Sequence, residues 1–202
     1  MNIIACGALA HELLALKQLN GWEHFHVTCL PAHYHLTPQR IPEAVRSAIE
    51  EIRNKNDDAI LVAYGDCGTG GRLDKVLDEA GVERLPGAHC YEFFAGSEQF
   101  MHMHEAEIGT FYLTDFLVKY FDTYVTKALG LDKKPELKEL YFGNYTRLMY
   151  LAQTRSETLR AQAEMHAVTL GLRYEYSYTG YGEMGSALSR TKRISVAEPC
   201  QH

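Results

Sequence analysis

Residues 59–64 read Ala-Ile-Leu-Val-Ala-Tyr, a continuous apolar run that passes directly into Gly65-Asp66-Cys67-Gly68-Thr69-Gly70-Gly71. A half-exposed strand alternates apolar and polar residues, whereas an unbroken run of this length suits a central parallel strand covered on both faces. A helical pattern follows from Arg72 to about Ala80. A buried strand, a glycine-rich loop and a helix in succession restrict the chain to folds in which helices cross over between parallel strands.

The flanking segments repeat that alternation. Asn2 to Cys6 reads as a short apolar strand, and Leu9, Leu13, Leu14 and Leu16 give the next segment a helical pattern that ends at Asn20-Gly21. Phe25, Val27 and Cys29 alternate with polar residues in a second strand, His24 to Leu30, closed by Pro31. Pro42 opens a helix whose buried stripe is Val45, Ile49 and Ile52, and Val82 to Leu85 forms a short strand before Pro86-Gly87. Helical patterns cover 91–107 and 114–129, with Gly109 to Leu113 as the break between them. A polar connection with one short helix leads to a strand at Arg147 to Ala152, a helix from Ser156 to Leu170 and a last strand to Tyr178.

The expected fold class is therefore α/β, a three-layer sandwich with a mostly parallel, Rossmann-like sheet and right-handed crossovers. Residues 1–180 read as one domain with a helical insertion at about 91–144, and 181–202 read as a mobile C-terminal tail. In such sheets ligands bind outside the carboxyl ends of the strands, near the point where strand order reverses.

A formal charge of −6 gives no broad basic surface, so nucleic acid is not expected as a partner. The N-terminal stretch lacks a basic region and is interrupted by His11-Glu12, so it reads as strand and helix and not as a signal peptide. No run of about 20 apolar residues points to a membrane span. A cytoplasmic location is expected, where the five cysteines serve as reduced thiols, metal ligands or catalytic groups.

Cys6 ends the first strand, Cys67 lies in the loop after the central strand, and Cys90 follows the turn after the next. With neighbouring strands roughly 4.8 Å apart, such strand ends can gather three thiols. Cys29 reads as a small core residue and Cys200 as incidental. Three thiolates leave one position open on a zinc ion, or could hold a [4Fe-4S] cluster with one exposed iron. The absence of CxxC pairs argues against a structural zinc ribbon.

Gly65, Gly68, Thr69 and Gly70 line the Cys67 loop, whose backbone N–H groups could face a thiolate, a cluster sulfide or an anionic substrate. The segment lacks the lysine of a phosphate-binding loop and the spacing of a dinucleotide fingerprint. Asp66 and His89 are the candidates for acid/base work beside Cys67 and Cys90, and Tyr64 could add a hydroxyl. His33 and His35, in the loop after the second strand, could close over the site. His102 and His104 do not share a helix face. Tyr174, Tyr176, Tyr178 and Tyr181 read as sheet residues, with a cation–π pocket as the functional alternative.

Ile3-Ile4-Ala5-Cys6, Tyr64-Gly65-Asp66-Cys67-Gly68, Cys90 with Gly96-Ser97, and Gly109-Thr110-Phe111-Tyr112-Leu113-Thr114 together resemble a prokaryotic family defined by a domain of unknown function. Members of that family are often encoded beside corrinoid-dependent methyltransferases and genes for methylated amines. The resemblance implies one-carbon metabolism, with a methylated amine as a candidate substrate and a corrinoid protein or methyltransferase as a candidate partner. The leading expectation is a metal-dependent transferase or lyase. The alternatives are a corrinoid or metal chaperone, and a metal-free enzyme with Cys67 as nucleophile, His89 as base and Asp66 as orienter.

Overall fold

The computed structural model describes residues 1–55 and 58–194, the last five by their backbone alone. The fold is α/β, and the described chain divides into two compact units, one formed by 1–93 with the segment from Tyr181 onward and the other by Phe94–Gly180. Each has its own parallel sheet.

In the first unit, β1 (Asn2–Cys6), β2 (His26–Leu30), β3 (Ile60–Ala63) and β4 (Glu83–Arg84) lie in the order β2-β1-β3-β4. β1 pairs with both β2 and β3 in parallel register, Ala5 standing opposite Cys29 on one side and Ala63 on the other. The connection through α1 (Ala10–Leu19) runs to one side of β1, and that through α2 (Ile41–Arg53) returns to the other. Strand order therefore reverses between β1 and β3, and crevices at such a reversal are where open α/β sheets take ligands. Right-handed crossovers put α2 and α3 (Arg72–Ala80) on one face, where they pack together, and α1 on the opposite face. All five residues of β1 and Leu61, Val62 and Ala63 of β3 are buried, as expected for strands covered on both sides.

Two expectations change here. Cys29 is exposed, not a core residue. It lies on the edge strand β2, and the buried anchors of that segment, Trp22 and Phe25, come just before the strand begins. Of the expected tail, residues 184–194 form helix α9 (Met184–Ile194), with Met184 and Leu188 buried; a Cβ on Gly185 would stand 3.2 Å from Leu16 of α1. Cys200 lies outside the described residues.

The chain leaves the first unit through α4 (Cys90–Ala95). In the second unit, α5 (Ser97–Ala106) precedes β5 (Thr110–Leu113), β6 (Arg147–Ala152) and β7 (Arg173–Tyr178), which lie in sequence order. β5 replaces the expected break between helices. Its four residues are too few to show a period, but they pair along β6 from Thr110↔Arg147 to Leu113↔Tyr150. This strand allows the expected last strand–helix–strand unit to form a separate sheet, where the sequence reads as one continuous sheet. The helical stretch after it is α6 (Asp115–Lys119) followed by a π-helical segment at Asp122–Lys127, with α7 at Leu137–Phe142. α8 (Glu157–Leu170) is capped by Ser156, whose hydroxyl accepts from Leu159 N–H, and ends at Gly171 in the left-handed conformation. Leu113, Leu148, Tyr150 and Ala152 form one core with Val118, Phe121, Ala163 and Ala167.

Candidate metal centre

The Cys67 loop is shaped by one close approach and one carboxylate. Beyond β3 the backbone pairs with the segment that leads to Cys90, Asp66 N–H donating to Gly87 O at 3.3 Å and Cys67 N–H to Ala88 O at 2.9 Å. Gly65 permits this approach, since a Cβ there would lie 2.9 Å from Ala88 O and 3.0 Å from His89 N. Arg84 braces the partner segment, donating to Leu85 O and Gly87 O, both at 2.9 Å, while two further nitrogens bind Asp74.

Asp66 ties the glycine-rich loop to itself. Its Oδ1 accepts from the Thr69 hydroxyl at 2.7 Å and from Gly71 N–H at 2.8 Å, and its Oδ2 accepts from Gly70 N–H at 3.1 Å. These bonds, with that from Gly71 foremost, hold its carboxyl down to about 2. The N–H groups of Gly70 and Gly71 thus serve the loop, and Thr69 is buried within it. Cys67, at φ 49°, is the one non-glycine residue in the left-handed region among the described residues. That conformation costs roughly 1–2 kcal/mol for a residue with a Cβ, so the surrounding bonds must hold it.

The loop brings Cys67 towards Cys6 and Cys90. Cys6 Sγ accepts from Ala8 N–H at 3.4 Å, at the turn between β1 and α1. Cys67 raises the proton affinity of Cys6, and Cys6 and Cys67 both raise that of Cys90. Burial is the larger cause at all three, pushing Cys6 up to about 12 and Cys67 and Cys90 upward as well. The thiols are therefore held protonated, and a bound cation is the partner that would reverse this.

Three other side chains enter the same region. His35, in the short 3-10 helix Ala32–Leu36, brings Nδ1 to 3.6 Å from Cys6 Sγ and to 3.2 Å from Ala32 O. The Tyr64 hydroxyl sits buried beside Cys6 with no partner of good hydrogen-bond geometry among the described residues. Glu12, buried in the first turn of α1, is close enough to Cys90 to raise its proton affinity. Sequence reasoning missed Glu12, although it shares the helix face of Leu9, Leu13 and Leu16, where a carboxylate is out of place. His89 is exposed, with its ring 6.1 Å from that of Tyr91, and is near enough to His35 to influence its charge. His33 is exposed and packs on Tyr34.

Among the described residues, no three His, Cys, Asp or Glu side chains stand close enough to hold an ion as they are. Cys6, Cys67 and Cys90 share one region, near enough for Cys67 to act on Cys6 and for both to act on Cys90. In the second unit, the guanidinium of Arg160 lies 4.9 Å over the Tyr176 ring and that of Arg155 lies 4.3 Å over Tyr178, so these faces already carry cations.

The candidate site thus lies at the strand-order reversal of a parallel α/β sheet, with one buried and two half-buried thiols as its chemical feature. The family model described as Protein of unknown function (DUF1638) matches residues 29–188, and the chain belongs to that family. No curated protein and no solved structure matches it. Among the described residues, no helix is long and apolar enough to cross a membrane.

Proposed function

We propose that Cys6, Cys67 and Cys90 hold a metal centre, zinc or a [4Fe-4S] cluster, in an enzyme of one-carbon or methylated-amine metabolism. The observation that carries this reading is that Cys6 and Cys67 both lie within electrostatic reach of Cys90, and Cys67 of Cys6, at the strand-order reversal. A cation replaces three protons there and makes the thiolates stable in a place where burial alone forbids them.

Methyl transfer is the reaction that fits an ion with thiolate ligands and a position for a substrate sulfur. A zinc ion held by these cysteines would bind an acceptor thiol and keep it nucleophilic at neutral pH, which is the chemistry that methyl transfer needs. The metabolic direction rests on the resemblance drawn from the sequence motifs. The metal-free alternative is less favoured by the geometry, because burial raises all three thiols and the Asp66 carboxylate is committed to its own loop.

The test is elemental analysis of anaerobically purified protein, wild type and each of the three Cys→Ser variants, followed by assay with methyl-corrinoid and thiol acceptors. Wild type should carry zinc or iron and each variant should lose it. Wild-type protein free of both metals, with Cys67→Ser fully functional, would defeat the reading. Metal binding together with stable association but no turnover would assign the chain to an accessory role instead.

A further inference from the structure

We infer that a second copy of this chain docks on the open edge of β2, the two β2 strands running antiparallel about a two-fold axis at Thr28. The pairing joins the first sheets of two copies into one.

The ladder to β1 fixes which backbone groups of β2 stay open. His26 N–H donates to Met1 O at 3.0 Å, and the register runs from Asn2↔His26 to Cys6↔Leu30. In a parallel pair alternate residues turn both their groups to the same neighbour. His26, Thr28 and Leu30 therefore serve β1, and the N–H and C=O of Val27 and Cys29 point away from the sheet. Among the described residues, no backbone hydrogen bond outside the sheets reaches those four groups. β2 is an edge strand, and His26, Thr28 and Cys29 are exposed.

These four groups match their own image in one register. With the axis at Thr28, Val27 faces Cys29 of the second copy and Cys29 faces its Val27, so every open group finds a partner. An axis at Cys29 would set Val27 opposite Pro31, which has no N–H. An axis at Val27 would set Cys29 opposite Phe25, whose N–H already donates to Trp22 O. At Thr28 the two threonines form a non-hydrogen-bonded pair with Cα atoms about 4.5 Å apart, the closer of the two antiparallel spacings.

Charge favours a second copy here. The chain carries −6, yet His26–Leu30 contains no Asp, Glu, Lys, Arg, Pro or Gly, the residues that commonly blunt an edge. β7, also an edge, carries Arg173 and Glu175 paired with each other, and Arg155 and Arg160 lie over its Tyr178 and Tyr176 rings. A five-residue edge is small for a lasting interface, and α1 adds apolar surface. This helix packs against β2 with Leu14 57% and Leu19 73% exposed, and the axis places both copies of it on one face of the joined sheet.

Analytical ultracentrifugation of the full chain in reductant, over about 5–500 µM, should show a reversible monomer–dimer equilibrium. Thr28→Lys sets two ammonium groups face to face and should weaken the dimer about tenfold or more. Met165→Lys, on the exposed face of α8, should leave it unchanged. Thr28→Cys in a Cys29→Ser background should give a disulfide-linked dimer on mild oxidation, because Cα atoms about 4.5 Å apart lie within disulfide range. Wild-type Cys29 should not, since it lies diagonal to its own image, roughly 7–8 Å away. Circular dichroism establishes that the variants are folded, and the cross-link decides the matter if Thr28→Lys is not.

A chain that stays monomeric throughout this range, or a dimer that Met165→Lys disrupts and Thr28→Lys does not, would overturn the inference. So would Thr28→Cys protein that forms no cross-link. None of these readouts depends on the metal centre.

Discussion

Gly65 offers the sharpest test of how the fold builds the site. In Gly65→Ala the new Cβ would meet Ala88 O at 2.9 Å, Ala88 C at 3.0 Å and His89 N at 3.0 Å, all backbone atoms that cannot rotate aside. The 88–89 segment must move away by about half an ångström, and overpacking of this kind costs about 1–3 kcal/mol. The same shift weakens the bonds from Asp66 N–H to Gly87 O and from Cys67 N–H to Ala88 O, each worth about 1 kcal/mol. Against this, alanine reduces the freedom of the unfolded chain, which returns about 0.4–1 kcal/mol. The net loss is about 1–3 kcal/mol, or a urea midpoint lower by roughly 1 M for a slope near 2 kcal/mol per M. Gly70→Ala is the control, since its Cβ would meet nothing within 4 Å and only its φ of +62° opposes the change. It should lose only about 1–2 kcal/mol. Metal content should separate the two: Gly65→Ala displaces the segment carrying Cys90 and should bind poorly, and Gly70→Ala should bind normally. A Gly65→Ala protein with wild-type midpoint and wild-type metal content would refute the claim that this close approach sets the cysteine geometry.

Three further outcomes follow from the same structure. The Arg84 guanidinium binds both oxygens of Asp74 and holds its carboxyl below the usual range, so its contribution to stability is present above roughly pH 4 and is lost as pH falls through the lower folded value. The gap in urea midpoint between wild type and Asp74→Asn should thus be widest near neutrality and narrow in acid; a gap independent of pH would contradict the pairing. Asp115 accepts bonds from Tyr150 O–H, Gln153 N–H and both the N–H and hydroxyl of Thr154, so Asp115→Ala should destabilise the protein by about 3–5 kcal/mol in thermal or urea unfolding. Cys29→Ser, at an exposed edge-strand position, should stay within about 0.5 kcal/mol of wild type and keep its metal content.

The elements legible in the sequence are those whose burial leaves a pattern. Residues 59–64 and 148–152 are apolar throughout, as suits strands covered on both faces, and Ser156 and Gly171 mark the ends of α8 by the requirements of its caps. β5 was not legible, because Thr110–Leu113 is four residues long and only its pairing with β6 identifies it as strand. Without β5, the strands after residue 147 read as a continuation of the first sheet. Cys29 misled for a related reason: alternation shows which residues share a face, but coverage of that face depends on the strand's place in the sheet, and β2 is an edge.

The candidate site divides along the same physical line. Cys6, Cys67 and Cys90 could be gathered from sequence because each closes or follows an identifiable strand, and parallel strands present their carboxyl ends together. His35 and Tyr64 were visible as residue types near the right ends, but the distance of a loop histidine from a particular sulfur depends on how 31–40 folds back, and no periodicity encodes that. Glu12 is the instructive case. Its position on the apolar face of α1 is written in the sequence, where a carboxylate breaks the stripe of Leu9, Leu13 and Leu16. Its proximity to Cys90 raises the affinity of that thiol for its proton, but Cys90 lies 78 residues further along the chain, and only the fold that brings the start of α1 beside the segment after β4 reveals the pair.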